Sequence, residues 1–206
     1  MKTFIKLCGF KYIDDIIFAT SLNINYLGMI FVENAQRTVN LDTAILGAKI
    51  CKDRGIKSVG VFLNQDLSEI EKILNKVDLD MLQLHGTENI DDYRVFNKDI
   101  IKTLHVTEEL PLKVTDLDFD NVNYLLDTSS NHLQGGTGKC FDWSILRDIP
   151  VEKLFIAGGL KPDNILDLLS SYEPKCVDVS SGIEKESGHK DHNLMSEFVQ
   201  KVRAYQ

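Results

Sequence analysis

Phe4-Ile5-Lys6-Leu7-Cys8-Gly9 reads as a short strand that ends on a thiol and then a glycine. Side chains alternate across a strand, so Phe4, Lys6 and Cys8 share one face while Ile5 and Leu7 share the other. An unpaired buried ammonium is costly, which makes Lys6 the least comfortable residue in the run. In a closed parallel barrel the carboxyl ends of the strands face the active-site mouth. Whether Cys8 is a catalyst or a small buried hydrophobe therefore depends on what the rest of the chain builds around it.

Apolar, β-branched runs of strand length recur along the chain: Phe4–Leu7, Tyr26–Val32, Ser58–Leu63, Met81–Leu84, Ile100–Val106, Val122–Leu126, Lys153–Ala157 and Cys176–Val179. Helical periods fall between them. Ile13, Ile16, Ile17 and Thr20 form one stripe, Leu41, Ala44, Ile45 and Ala48 another, and Ile70, Ile73, Leu74 and Val77 a third. Ile165, Leu168 and Leu169 continue the series, and Met195, Phe198, Val199 and Val202 end it. Start signals agree: Asn40, Asp66 (three residues before Glu69) and Asp191 precede helical periods, and Pro162 suits a first helical turn. Glu108–Leu117 and Trp143–Arg147 carry the weakest helical patterns. Eight strands alternating with helices, at roughly 26 residues per unit, predict a single-domain (β/α)8 TIM barrel spanning 1–206. An open doubly wound sheet is the alternative, but no G-x-G-x-x-G follows the first strand to support a dinucleotide site.

Composition narrows the function. The chain has 206 residues, 43% hydrophobic and 26% charged, an ordinary globular mixture long enough to bury a large core. A net charge of −8 argues against a general nucleic-acid binder, which would show a basic patch, yet leaves room for a locally positive pocket. No apolar run approaches the ~20 residues that span a bilayer, and the start of the chain lacks a signal-peptide pattern. Cys8, Cys51, Cys140 and Cys176 are widely separated, which fits free thiols in the cytoplasm and argues against a zinc site. Cys51, Cys140 and Cys176 read as buried hydrophobes.

The strands become more polar towards their carboxyl ends. Gln83 and His85 share a face of the fourth, Asn123 and Asp127 of the sixth, and Cys176, Asp178 and Ser180 of the eighth. Taken singly these are ambiguous: a lone His85 is more often structural, and Asp127-Thr128-Ser129 could simply start a turn. Lys6 inside a barrel calls for a carboxylate from a neighbouring strand, and Asp178 is the expected partner. Three glycine-bearing segments follow late strands: Gln134–Lys139, Ala157-Gly158-Gly159-Leu160 and Ser180-Ser181-Gly182-Ile183-Glu184. Barrels bind phosphate with the loops after strands seven and eight, so a phosphorylated small molecule is the expected ligand. Thr128–Lys139 reads as a lid.

Together these residues resemble a known family. Lys6-Leu7-Cys8-Gly9, Gln83-Leu84-His85-Gly86, Leu125-Leu126-Asp127-Thr128, Gly135-Gly136-Thr137-Gly138-Lys139 with Phe141-Asp142-Trp143, Ala157–Leu160 and Asp178-Val179-Ser180-Ser181-Gly182 look like phosphoribosylanthranilate isomerase, in register over essentially the whole chain. The resemblance implies a cofactor- and metal-free Amadori rearrangement in tryptophan biosynthesis. It implies Cys8 as general base and Asp127 as general acid, Arg37 as binder of the anthranilate carboxylate, and His85 and Asp178 as pocket residues. Gly136, Gly138, Gly158, Gly159, Ser180, Ser181 and Gly182 would hold the phosphate. Leu7 stands where the family often has isoleucine, and Asn34-Ala35-Gln36-Arg37 lacks the Ser-Pro or Ser-Lys that often precedes the arginine. His105 has no role in the resemblance and reads as structural or exposed.

The chemistry suits these residue types. Opening the ribose ring needs an acid, and removing the C2 proton needs a base on the other side of the sugar. Asp127 can hold a proton near neutrality if burial raises its pKa, and a thiolate at Cys8 would be favoured by Lys6 or by a loop dipole. A histidine-pathway isomerase barrel is the nearest alternative, but there the first strand would end on aspartate. A non-catalytic phosphosugar-binding barrel is the alternative of another class. Either a monomer or a homodimer is compatible with the sequence.

Overall fold

Eight parallel strands close into a ring, each hydrogen-bonded to the next in chain order and the last to the first. They are β1 Phe4–Cys8, β2 Tyr26–Ile30, β3 Lys57–Phe62, β4 Met81–Leu84, β5 Asp99–Val106, β6 Asn123–Thr128, β7 Leu154–Ile156 and β8 Cys176–Val179. The expected (β/α)8 barrel is the architecture found, and the open sheet is excluded by the β1–β8 pairing. The computed structural model describes residues 2–106, 117–128 and 142–206. The glycine segment with Gly136 and Gly138, the lid expected after Thr128, Cys140 and nearly all of the weak helical stretch 108–117 lie outside the described residues.

Helices α1 Ile13–Ala19, α2 Leu41–Asp53, α3 Leu67–Leu74, α4 Ile90–Tyr93, α5 Ile165–Ser171 and α6 His192–Tyr205 pack around the strands. Asn40 caps α2 by accepting the Thr43 N–H at 2.8 Å, and Asp191 caps α6 through Asn193 and Leu194. Asp66 occupies the N-cap of α3 without making a side-chain cap bond. Pro162 is not in a first helical turn: α5 begins at Ile165. The Asn164 side chain accepts from Lys161 N and donates to Gly159 O, which holds the preceding segment as a turn. Trp143–Leu146 is a single 3-10 turn.

Two apolar layers follow from strand alternation. Ile5, Leu7, Leu27, Leu82, Leu126 and Val177 point outward into the strand–helix core. Val59, Met81, Ile101, Leu125, Phe155 and Cys176 fill the barrel, with Tyr26 against Phe155 at 5.4 Å and Phe4 at 6.1 Å near its amino end. Above that layer the interior turns polar, with Lys6, Gln83, Thr103 and Asp178 all buried. Among the described residues no helix is long and apolar enough to cross a membrane.

Candidate active site

The register of the ring brings the polar side chains together. Lys6 and Asp178 are direct neighbours across β1 and β8, and the ammonium donates to Asp178 Oδ2 at 2.7 Å. This is the pairing expected from the sequence. Burial works against both charges and lifts the Asp178 carboxyl even as Lys6 opposes it. The close carboxylate is why the Lys6 ammonium nevertheless becomes harder to deprotonate than in water.

Cys8 sits at the end of β1 opposite Gly28 of β2. A Cβ on Gly28 would stand 2.5 Å from the Cys8 sulfur, so only glycine leaves room for the thiol at this step of the ring. Burial pushes the Cys8 thiol up, Lys6 pulls it down by charge and a hydrogen bond, and Asp178 opposes Lys6. Lys190 adds a second downward pull. Cys51 and Cys176 are fully buried free thiols, as expected.

Asp127, at the carboxyl end of β6, is the Cα neighbour of His105 on β5. His85 Nε2 lies 3.8 Å from Asp127 Oδ2. Thr103 Oγ1 is 3.1 Å from His85 Nδ1 and accepts from Gln83 Nε2 at 3.3 Å. Gln83 Nε2, which can only donate, also lies 3.4 Å from Nδ1, so Nδ1 is the acceptor of this trio and the imidazole proton sits on Nε2, facing the carboxylate. Crowding at the base of the mouth lowers the His85 pKa to about 4, by burial first and then by His105 and Lys6. The ring is therefore neutral at physiological pH. His105 is structural: its Nε2 donates to the His85 carbonyl at 2.8 Å. The same loop is fixed from behind by Glu88, which accepts from Asn64 N, Gly86 N and Lys102 Nζ at 2.7–2.9 Å.

The loops after β7 and β8 meet at the mouth. Gly158 and Gly159 have φ of 83° and 66°, a region that glycine enters without strain. Ser180, Ser181 and Gly182 are half-buried, and a Cβ on Gly182 would collide with the Leu160 carbonyl oxygen. That close approach locks the two loops together.

Arg37 is buried beside the same mouth, where a Cβ on Gly9 would be 2.8 Å from its Cδ. Its guanidinium is held by Glu184, with Nε donating to Oε1 and Nη2 to Oε2, each at 2.7 Å. Glu184 belongs to a hairpin, β9 Glu184–Glu186 and β10 His189–Lys190, that the sequence reading missed. The hairpin also supplies Lys190, whose Nζ donates to Ser180 O at 2.9 Å and Glu184 Oε1 at 2.8 Å. Burial alone would raise Glu184, but Arg37 and Lys190 hold it below the usual carboxylate range. Gly28, Thr103 and Lys190 stand at the candidate site without any sequence-based expectation, and the sequence marks Glu184 only as the end of a glycine-bearing segment. Among the described residues no group of three His, Cys, Asp or Glu side chains is arranged to hold a metal ion.

The arrangement sets a thiol and a carboxylate at strand ends of one mouth, with three buried cations and glycine-bearing loops beside them. Comparison with known proteins gives this arrangement a family. The family model described as N-(5'phosphoribosyl)anthranilate (PRA) isomerase matches residues 5–201. The chain is 39% identical to N-(5'-phosphoribosyl)anthranilate isomerase of Caldanaerobacter subterraneus subsp. tengcongensis over 97% of each chain. It is 34% identical to that of Aquifex aeolicus over 97% of this chain and 98% of the relative. The crystal structure of phosphoribosyl anthranilate isomerase from Thermotoga maritima matches with a TM-score of 0.84 and 28% identity over 98% of this chain and 99% of that one. A phosphoribosyl anthranilate isomerase solved in complex with reduced 1-(o-carboxyphenylamino)-1-deoxyribulose 5-phosphate matches with a TM-score of 0.78 and 27% identity, again over 98% and 99%. The chain belongs to the N-(5'-phosphoribosyl)anthranilate isomerase family.

Proposed function

We propose that the chain converts N-(5-phosphoribosyl)anthranilate to 1-(2-carboxyphenylamino)-1-deoxyribulose 5-phosphate in the cytoplasm, with Asp127 as general acid and Cys8 as general base. The observation that carries this reading is the placement of Cys8 on β1 and Asp127 on β6, well apart around one ring, with polar side chains between them. A sugar lying across the mouth meets the acid on one side and the base on the other. Asp127 gives a proton to the ribose ring oxygen, the C1–O bond breaks, and a Schiff base forms between C1 and the anthranilate nitrogen. Cys8 then takes the proton from C2. The resulting enolamine tautomerises to the ketone, so C2 is oxidised as C1 is reduced within one molecule. Because hydrogen moves within the substrate, the reaction calls for no cofactor or metal.

Around this centre Gly158, Gly159, Ser180, Ser181 and Gly182 take the phosphate, Arg37 takes the anthranilate carboxylate, and His85 and Asp178 complete the pocket. Gly136 and Gly138 join the phosphate site in this reading. Burial on balance keeps the Cys8 thiol above its ordinary pKa, and the Lys6 ammonium, two residues earlier on the same face of β1, is the strongest influence working against that rise and towards the thiolate the base needs. The chain acts as a monomer or a homodimer, which a light-scattering mass separates.

The test is loss of fluorescence from phosphoribosylanthranilate generated in situ, without added metal. Cys8→Ala and Asp127→Ala should each lower kcat about 10²- to 10⁴-fold with little change in KM, the usual contribution of a general acid or base. Near wild-type turnover in either variant removes that residue from its role.

A further inference from the structure

The hairpin that follows β8 places one carboxylate among four N–H donors. Glu184 Oε1 accepts from Arg37 Nε at 2.7 Å and Lys190 Nζ at 2.8 Å. Oε2 accepts from Arg37 Nη2 at 2.7 Å and from Gly188 N at 3.3 Å. A carboxylate offers about four acceptor sites, so Glu184 has no capacity left for a substrate, and its side chain is only 4% exposed. Whatever it does for the reaction, it does through Arg37 or Lys190. Lys190 is spent as well, on Ser180 O and Glu184, with its ammonium 5.4 Å over the Phe10 ring.

Arg37 is different. Glu184 occupies the Nε–Nη2 side of its guanidinium, and the other edge, Nη1 with the second N–H of Nη2, has no partner among the described residues. Two cations against one anion leave the cluster a surplus positive charge, and the open edge of Arg37 is the part of it that Glu184 does not engage. The arginine stem crosses the backbone of Gly9, next to Cys8, because glycine with φ of 80° presents no Cβ there. We propose that Glu184 is a positioning residue for substrate recognition: by gripping one side of Arg37 it presents the opposite edge as an end-on fork for the ring carboxylate of the substrate. The inference rests on the assignment of Arg37 to that carboxylate.

A planar fork recognises a carboxylate only in a fixed orientation, so the effect should depend on the ligand. The experiment measures calorimetric affinities for reduced 1-(o-carboxyphenylamino)-1-deoxyribulose 5-phosphate and for its anilino counterpart lacking the ring carboxylate. Wild type should prefer the carboxylated ligand about 10- to 100-fold, the span of a charge-assisted hydrogen bond. In Glu184→Gln an amide NH₂ meets the donors that a carboxylate oxygen received, Arg37 swings free, and the preference should collapse towards one while the anilino ligand binds as before. A wild-type preference retained in Glu184→Gln, or an equal loss for both ligands, overturns the proposal. If Glu184→Gln does not fold, Glu184→Asp carries the test. It keeps a charge for Lys190 but is one methylene too short to hold both guanidinium nitrogens as well, and the same two results overturn the proposal. A wild type that does not distinguish the ligands removes Arg37 from carboxylate binding, and this inference with it.

Discussion

Lys6→Met isolates the cost of the charge at the centre of the barrel. Methionine keeps an unbranched apolar stem in a site where Lys6 is 0% exposed, so packing is nearly preserved and the ammonium alone is lost. Asp178 is then left without a hydrogen-bond partner among the described residues: Oδ2 loses the 2.7 Å bond to Lys6, and Oδ1 has none to begin with. Removing one member of a buried ion pair costs about 3–5 kcal/mol, because the other is left as an uncompensated charge. At about 2–4 °C per kcal/mol for a chain of this size, the melting temperature should fall by roughly 6–20 °C. Lys6→Met/Asp178→Asn, which removes both charges, should recover most of that loss. The pH dependence has a definite sign. Burial raises the folded-state pKa of Asp178 above its ordinary value, and without Lys6 the main opposition to that rise is gone. Such a group contributes stability fully present below the unfolded carboxylate range and lost as pH rises through the folded value. The deficit of Lys6→Met relative to wild type should therefore shrink as the solution is acidified. Thermal unfolding followed by circular dichroism at a series of pH values measures all three effects. A single variant within about 1 kcal/mol of wild type, or a double variant no more stable than the single, would show that the pair is not the electrostatic centre described above.

Three further outcomes are expected. His85, with its pKa lowered from 6.5 to about 4, should show its imidazole titration midpoint by NMR near 4 rather than near 6.5; its contribution to stability is complete above 6.5 and is lost as pH falls towards 4. A midpoint near 6.5 would refute the neutral ring facing Asp127. Gly28→Ala sets a methyl group 2.5 Å from the Cys8 sulfur and should cost about 1–3 kcal/mol in chemical denaturation while lowering kcat, because the thiol must turn away. Gly182→Ala drives a methyl group into the Leu160 carbonyl and separates the β7 and β8 loops. It should weaken inorganic phosphate inhibition while leaving the far-ultraviolet circular dichroism unchanged; inhibition at the wild-type level would detach those loops from the phosphate.

Apolar periodicity located every strand of the barrel because a doubly covered parallel strand must be apolar over its length. Met81–Leu84 and Cys176–Val179 have the expected bounds. Where bounds differ, backbone pairing outlasts or falls short of the apolar run. β6 continues through Asp127 and Thr128 because His105 and Val106 pair with them, although neither residue is apolar. β2 stops at Ile30, before Phe31 and Val32, as the chain turns and Thr38 returns to bridge Ile30. The hairpin at Glu184–Lys190 was not legible on these terms. Glu184-Lys185-Glu186 carries no apolar alternation, since its strands pack through ion pairs rather than through a hydrophobic face.

The same distinction separates the site residues that could be anticipated from those that could not. Cys8, His85, Asp127 and Asp178 lie at or within one residue of the carboxyl ends of their strands, so period-two alternation is enough to aim them inward. The partner of Lys6 followed from one physical requirement, a carboxylate for a buried ammonium, once β8 was known to close on β1. Arg37 sets the same requirement, yet its carboxylate lies 147 residues away in a segment with no periodic signal. Both answers come from the end of the chain. Asp178 on β8 neutralises Lys6 on β1, while Glu184 on β9 neutralises Arg37 in the loop after β2. The final unit of the barrel therefore does more than close a ring of hydrogen bonds. Without it, Lys6 and Arg37, two buried cations that both act on Cys8, would each lack a counter-charge, so the electrostatics of the first strand are complete only when the last one docks.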